Sequence, residues 1–244
     1  MTPTRIWLVL NCMELASYGK SMCVPNDQLI ERSLRQLDSP VAQDRSEALK
    51  AIYAAKEVNS KGLLPQLAVR LQREECANVR VLYCGFFAEF LPGNGDAARL
   101  LLATFKQDLS CRVRQAITRS IYDLRRSGAK CMAGDRTWEI LKEILLLALR
   151  DDNNEVRNDA TRALGALAFR GPDIEDALAL SLSDTDASVR ECAAEGLASV
   201  GVASSRTMCA LLSAATPSAA KALAIAPSGL LADIVPQLHV ILDR

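Results

Sequence analysis

Residues able to do chemistry are few in this chain. His239 is its only histidine, near the end of the sequence, so the usual base for activating a Ser or Cys nucleophile is missing from the body of the protein. Eight cysteines stand at positions 12, 23, 76, 84, 111, 131, 192 and 209 with no Cys-x-x-Cys pair among them, so neither a zinc ribbon nor a redox motif is spelled out. Reduced structural thiols in a cytoplasmic protein are the expectation. Gly93-Asn94-Gly95-Asp96 lacks the Lys-Ser/Thr of a phosphate loop and reads as a turn whose Asp caps the following helix. Asp151-Asp152 and Asp184-Thr185-Asp186 resemble cation ligands in composition, but they recur at matching places between apolar segments and read as caps and ion-pair acids. No catalytic residue, metal site or cofactor is expected.

What must position such residues is a helical framework. Half of the 244 residues are hydrophobic, only 5% are aromatic and 24% are charged, with 12 Gly and 9 Pro, a composition that excludes general disorder and a loop-rich chain. Lys and Arg equal Asp and Glu at 29 each, so no bulk charge draws the chain to nucleic acid or an anionic membrane. Locally the balance differs. Residues 106 to 136 hold eight bases (Lys106, Arg112, Arg114, Arg119, Arg125, Arg126, Lys130, Arg136) against three acids, with Tyr122 as their single aromatic and so no series of rings for base stacking. The apolar run Ile6 to Leu10 is broken by Asn11 and Glu14, too short for a membrane span, and is expected to be a short helix.

The decisive feature is internal repetition. Val79-Arg80, Val113-Arg114, Val156-Arg157 and Val189-Arg190 recur at separations of 34, 43 and 33 residues, with a weaker copy at Asp44-Arg45. Three residues after each arginine stand Ala48, Tyr83, Ile117, Ala160 and Ala193, and seven after stand Ile52, Phe87, Ile121, Leu164 and Leu197, an apolar stripe on one helical face. Six residues before four of the arginines lies an acid: Glu74, Asp108, Asp151 and Asp184. The acid falls in the turn before the helix and the arginine in its first turn, so a guanidinium is expected to bridge to the neighbouring turn's carboxylate. Arg80, Arg114, Arg157 and Arg190 with these four acids would form a structural ladder. Asp152 with Glu155 reads as a capping box. A further apolar segment precedes each of these helices: 28 to 37, 63 to 71, 97 to 105, 138 to 149, 174 to 182 and 206 to 212. The unit is helix, tight turn, helix, and such pairs must stack to bury their apolar faces.

Asp151 to Gly165 resembles the HEAT-repeat consensus, particularly its bilin-lyase-like subclass. Asp184 to Leu197 is a second good copy, and residues 62 to 91 are similar to the broader pattern, including Pro65 where the family carries a kinking proline. The resemblance implies an all-α fold, an α-solenoid (right-handed superhelix) of about six helix pairs. Residues 27 to 244 would form the array and residues 1 to 26 an amino-terminal extension or cap. Residues 235 to 244 match residues 64 to 73 at six of ten positions, so a terminal half-repeat is expected to close or continue the stack. The surplus between Arg114 and Arg157 falls in an insertion, 127 to 135, expected to be a flexible loop exposing Cys131 and Met132. The sixth pair is degenerate, with Thr216 to Lys221 keeping neither acid nor arginine.

In HEAT-type stacks the second helices line the concave side, which the resemblance makes the place for a partner. Positions one and five after each arginine share a face away from the core stripe, and they nominate Lys50, Gln115, Arg119, Asn158, Arg162, Glu191 and Glu195 as partner-binding residues. The expectation is a non-enzymatic scaffold or adaptor holding another protein through that concave face, with no membrane association. Two alternatives come from relatives of the family. One is a bilin lyase-like or phycobilisome-processing protein, for which no tetrapyrrole motif is identifiable. The other is a DNA-binding protein resembling the HEAT-like alkylpurine glycosylases, for which Arg125 and Arg126 would be the residues to reverse. The paired His-Glu iron sites of the HEAT-repeat deoxyhypusine hydroxylases need more than one histidine.

Overall fold

The structure is a computed structural model that describes residues 26–55, 62–91, 93–127, 135–167, 169–202, 204–214 and 216–227. The expected amino-terminal cap up to residue 25, the core of the insertion with Cys131 and Met132, the terminal half-repeat and His239 lie outside the described residues. The described residues contain twelve α-helices and no strand. The fold is an all-α solenoid of repeated helix pairs.

Two compact units divide the chain, the first running to Ile117 and the second beginning at Thr118. In the first, α1 (Asn26–Gln36) pairs with α2 (Ala42–Ala54), α3 (Leu63–Arg73) with α4 (Ala77–Ala88), and α5 (Gly95–Gln107) leads into α6 (Cys111–Asp123), whose last turns belong to the second unit. In the second, a 3-10 turn (Leu124–Ser127) follows α6. Then α7 (Arg136–Ala148) pairs with α8 (Asn154–Ala166), α9 (Pro172–Ser181) with α10 (Ala187–Val200), and α11 (Ser205–Ala214) with α12 (Pro217–Ala224). Within each unit second helices pack on second helices, α2 on α4, then α8 on α10 and α10 on α12.

The apolar stripe forms the core. All ten residues at the third and seventh positions after the repeated arginines are buried, from Ala48 and Ile52 in α2 to Ala193 and Leu197 in α10. Burying a Leu or Ile side chain contributes about 1.5–3 kcal/mol, so this stripe, present in five of the six pairs, is a large part of the stabilisation. Small residues decide how closely pairs approach. A Cβ on Gly165 of α8 would stand 2.7 Å from the Cα of Gly196 in α10, so the two backbones touch there. Helices normally pack 8–10 Å apart according to the side chains between them, and this contact puts α8 and α10 toward the short end.

The helix ends correct two expectations. The cap of α8 is Asn153, whose side chain accepts from the backbone N–H of Glu155 and Val156; Asp152 and Glu155 do not form the expected box. Asn94, not Asp96, caps α5, accepting from the N–H of Asp96 and Ala97. In both turns the residue one or two places off has the extended backbone a cap requires. Pro65 lies in the first turn of α3, where its missing N–H costs no intrahelical bond, so no kink is needed to accommodate it. Gly201 ends α10 at φ +99°, a conformation that side-chain-bearing residues rarely adopt, with its N–H returned to Leu197 O at 2.9 Å.

Candidate functional site

The repeated arginines hold the turns. Arg45 Nε and Nη2 donate to Glu74 at 2.7 and 2.6 Å, Arg80 to Asp108 at 2.6 and 2.9 Å, and Arg157 to Asp184 at 2.7 and 2.9 Å, each a two-bond fork onto the turn of the next pair. The third nitrogen, Nη1, reaches carbonyls of the arginine's own turn: Ser39 and Pro40 for Arg45, Glu74 and Glu75 for Arg80, Asp151 and Asp152 for Arg157. Arg114 and Arg190 use Nη1 the same way, on Asp108 O, and on Asp184 O and Thr185 O. Each acid also accepts the N–H two residues on, at 2.8 to 3.0 Å, for Glu74, Asp108, Asp151 and Asp184.

These groups are largely shielded, with Arg157 and Asp184 side chains 14% and 11% exposed. The Arg157 hydrogen bonds hold the Asp184 carboxyl below its usual value against the cost of burial. For Glu74, burial pushes upward, and the bonds from Arg45 and the Cys76 N–H outweigh it, leaving the carboxyl lowered. Asp184 and Asp186 are thereby accounted for without a cation, since Asp186 caps α10 through Ser188 and Val189. Among the described residues no His, Cys, Asp and Glu cluster fit to hold a metal occurs.

The second-helix face differs between the units. In the first, Lys50 on α2 and Gln115 on α6 are half-buried, and half-buried Tyr53 and Phe90 flank the buried Phe86. Phe86 meets Phe90 at 5.2 Å and Tyr53 at 6.4 Å between ring centroids, and the Tyr53 hydroxyl donates to Glu89 at 3.0 Å. In the second unit the face is charged. Arg119 is 46% exposed, with Nε 3.3 Å from Oδ2 of the buried Asp159 on α8. Arg162 is exposed, lies over the ring of buried Tyr122 at 4.8 Å and donates Nη2 to its hydroxyl at 3.2 Å. Arg125 lies over the same ring at 4.5 Å. On α10, Glu195 is exposed and Glu191 half-buried, with Cys192 between them and within 4.0 Å of the Asn158 amide oxygen. Burial pushes the Cys192 thiol upward, so it stays protonated at neutral pH.

Residues 141–226 match the family model for HEAT repeats. The likeness to HEAT repeats is established for these residues, about a third of the chain. Among solved structures, a computationally designed armadillo repeat protein for modular peptide recognition is similar at 18% identity over 81% of this chain and all of that one, with a TM-score of 0.52. A designed armadillo repeat protein in complex with the peptide (KR)4 is similar at 18% over 84% and 95%, with a TM-score of 0.50. An engineered protein matches at 18% over 80% and 94%, also at 0.50. At these identities the likeness is one of fold. No curated protein is a significant sequence relative.

The HEAT reading of positions one and five found surface: none of the seven nominated residues is buried. It missed Tyr122, Arg125, Asp159 and Cys192. A signal for Tyr122 existed, since the eighth position after the arginine continues the same face; it is Tyr53 in α2, Tyr122 in α6 and Gly165 in α8. Asp159 and Cys192, two residues after their arginines, carried no such signal. On the first helices of the HEAT region, an open groove of about 790 Å³ lies between α7 and α9, lined by Leu147, Leu180, Lys142, Asp173 and Asp176 among others. Lys142 there bridges Glu139 at 3.0 Å and Asp173 at 3.4 Å. No described helix is long and apolar enough to cross a membrane.

Proposed function

We propose that this protein is a non-enzymatic scaffold or adaptor that binds another protein through the second-helix face of its HEAT-like solenoid. The observation that carries the reading is the state of the arginines. Arg45, Arg80 and Arg157 spend their donors on carboxylates and turn carbonyls, whereas Arg125 and Arg162 are exposed and lie over Tyr122 with no carboxylate on them among the described residues. Ordered, exposed and uncommitted guanidiniums lower the entropy cost of binding and are the side chains that most often anchor protein interfaces. The designed armadillo proteins of similar fold, described by their names as peptide-recognising, support the choice of a protein partner over a small molecule. The proposed setting is the cytoplasm, where thiols such as Cys76 and Cys192 stay reduced.

A photo-activatable residue introduced in turn at Lys50, Arg119 and Glu195, and at Leu180 on the first-helix surface, tests the reading in cells. Cross-links to another protein from the first three positions and not from Leu180 are expected. Cross-links from Leu180 alone overturn it.

A further inference from the structure

Resting on that reading, we infer that the second-helix face of the second unit selects an extended partner segment carrying an acidic side chain and, about four residues away, a basic one. The acid would lie against Arg125 and Arg162 over Tyr122, and the base against Glu195.

Tyr122 is buried and covered by two guanidiniums at 4.5 and 4.8 Å, one from the 3-10 turn and one from α8. The ring's π face attracts each cation, but two like charges sharing one ring repel each other, and no described carboxylate neutralises either. Their planar forks suit a carboxylate, which can take two parallel N–H bonds from each. Arg119 stands one turn earlier on α6, already balanced by Asp159, and adds positive potential without competing for the same anion.

The neighbouring step reverses sign. Glu195 is exposed on α10 and makes no ion pair among the described residues, and Glu191 one turn away accepts from the Ser218 hydroxyl and N–H. The ligand therefore meets two cations over Tyr122 and then one anion on the next helix. Helix axes in such packing are 8–10 Å apart, the backbone contact between Gly165 and Gly196 brings α8 and α10 toward the lower end, and an extended chain advances about 3.3 Å per residue. The acid site lies between α6 and α8 and the anion on α10, about one and a half such steps, which corresponds to about four residues of ligand. A nucleic acid strand fits worse, because the phosphates that satisfy Arg125 and Arg162 would continue into Glu195 and Glu191.

The test uses the purified full chain on an array of peptides in a Gly-Ser host, each with one Glu and one Lys separated by none to six residues, alongside Glu-only, Lys-only and single-stranded DNA probes. Retention highest with about three or four intervening residues is expected. Arg162→Gln with Arg125→Gln should weaken it about tenfold, as loss of charge-assisted bonds does. Glu195→Lys should weaken the Glu–Lys peptides and strengthen the Glu-only ones, a gain that misfolding cannot produce. Retention that ignores the Glu, or the spacing, overturns the inference, as does DNA bound more tightly than any peptide. A cross-linked partner segment mapped at Arg119 that is basic or apolar overturns the inference while leaving the scaffold reading standing; cross-links from Leu180 alone overturn that reading itself.

Discussion

The joint between α8 and α10 and the joint between α10 and α12 lie one step apart in the same stack and are fastened differently. At the first, Arg157 reaches forward onto Asp184 with two bonds and backward onto two carbonyls of its own turn, tying both turns through one planar group. At the second, Arg190 makes the backward bonds, but the turn before α12 is Thr216-Pro217, which has no acid to receive the forward pair. The next residue takes over. Glu191 accepts from the Ser218 N–H and hydroxyl at the start of α12, and these bonds hold its carboxyl below the usual value. A carboxylate there also meets the positive end of the α12 dipole. The comparison teaches that the repeat requires a fastening between turns rather than a particular pair of residues, and that the substitute is the weaker one, because it lies nearer solvent and caps a helix of eight residues.

The largest effect expected from breaking this comparison is at the first joint. Asp184→Ala should destabilise the second unit by about 2–4 kcal/mol, since it leaves the Arg157 guanidinium shielded without its counter-charge. Denaturant unfolding with hydrogen exchange resolved to α8 and α10 checks the size and the location. The same rung sets an acid limit. The Asp184 carboxyl is depressed in the folded state, so its contribution is complete above the unfolded value of about 3.9 and is lost as pH falls through the lower folded one. Acid titration of stability should therefore be flatter in Asp184→Asn than in the parent protein, and a curve of unchanged steepness would argue that the rung carries little.

Gly165→Ala comes next, at about 1–3 kcal/mol, because its methyl would meet the Gly196 backbone at 2.7 Å and backbone cannot swing aside. It tests whether close approach, rather than the ion pair, sets the α8–α10 joint; a thermal midpoint equal to that of the parent protein would exclude this. Glu191→Ala should cost about 1 kcal/mol, the scale of a lost helix cap, and exchange protection should fall in α12 without changing in α8. The smallest effect has the opposite sign. Gly85 sits inside α4 on the first unit's second-helix face with nothing within 4 Å of where a Cβ would stand, so Gly85→Ala should stabilise that unit by about 0.5–1 kcal/mol, read from the urea midpoint.

Much of this was legible beforehand because periodicity is a property of the chain. The third and seventh positions after each arginine had to be core, and Ala48 to Leu197 are buried at both. Caps were less legible. Asn153 competes with Asp152 for the same role in a turn of four polar residues, and the choice follows from backbone angles that neighbouring contacts impose. The charged face was half visible. Arg119 and Arg162 were nominated by register, but the ring that organises Arg162 with Arg125 lies on a different helix forty residues away. No local pattern encodes that contact.

Helix pairs, their length, their buried stripe and the acid-and-arginine spacing were determined by the sequence alone, because a helix repeats every 3.6 residues and an unburied apolar face forces stacking. Which groups meet across the stack was decided only by tertiary structure. The distance between α8 and α10 depends on backbone approaching backbone at Gly165 and Gly196, and whether an arginine meets a carboxylate, as Arg157 does, or a ring, as Arg162 does, depends on groups that other helices bring to it.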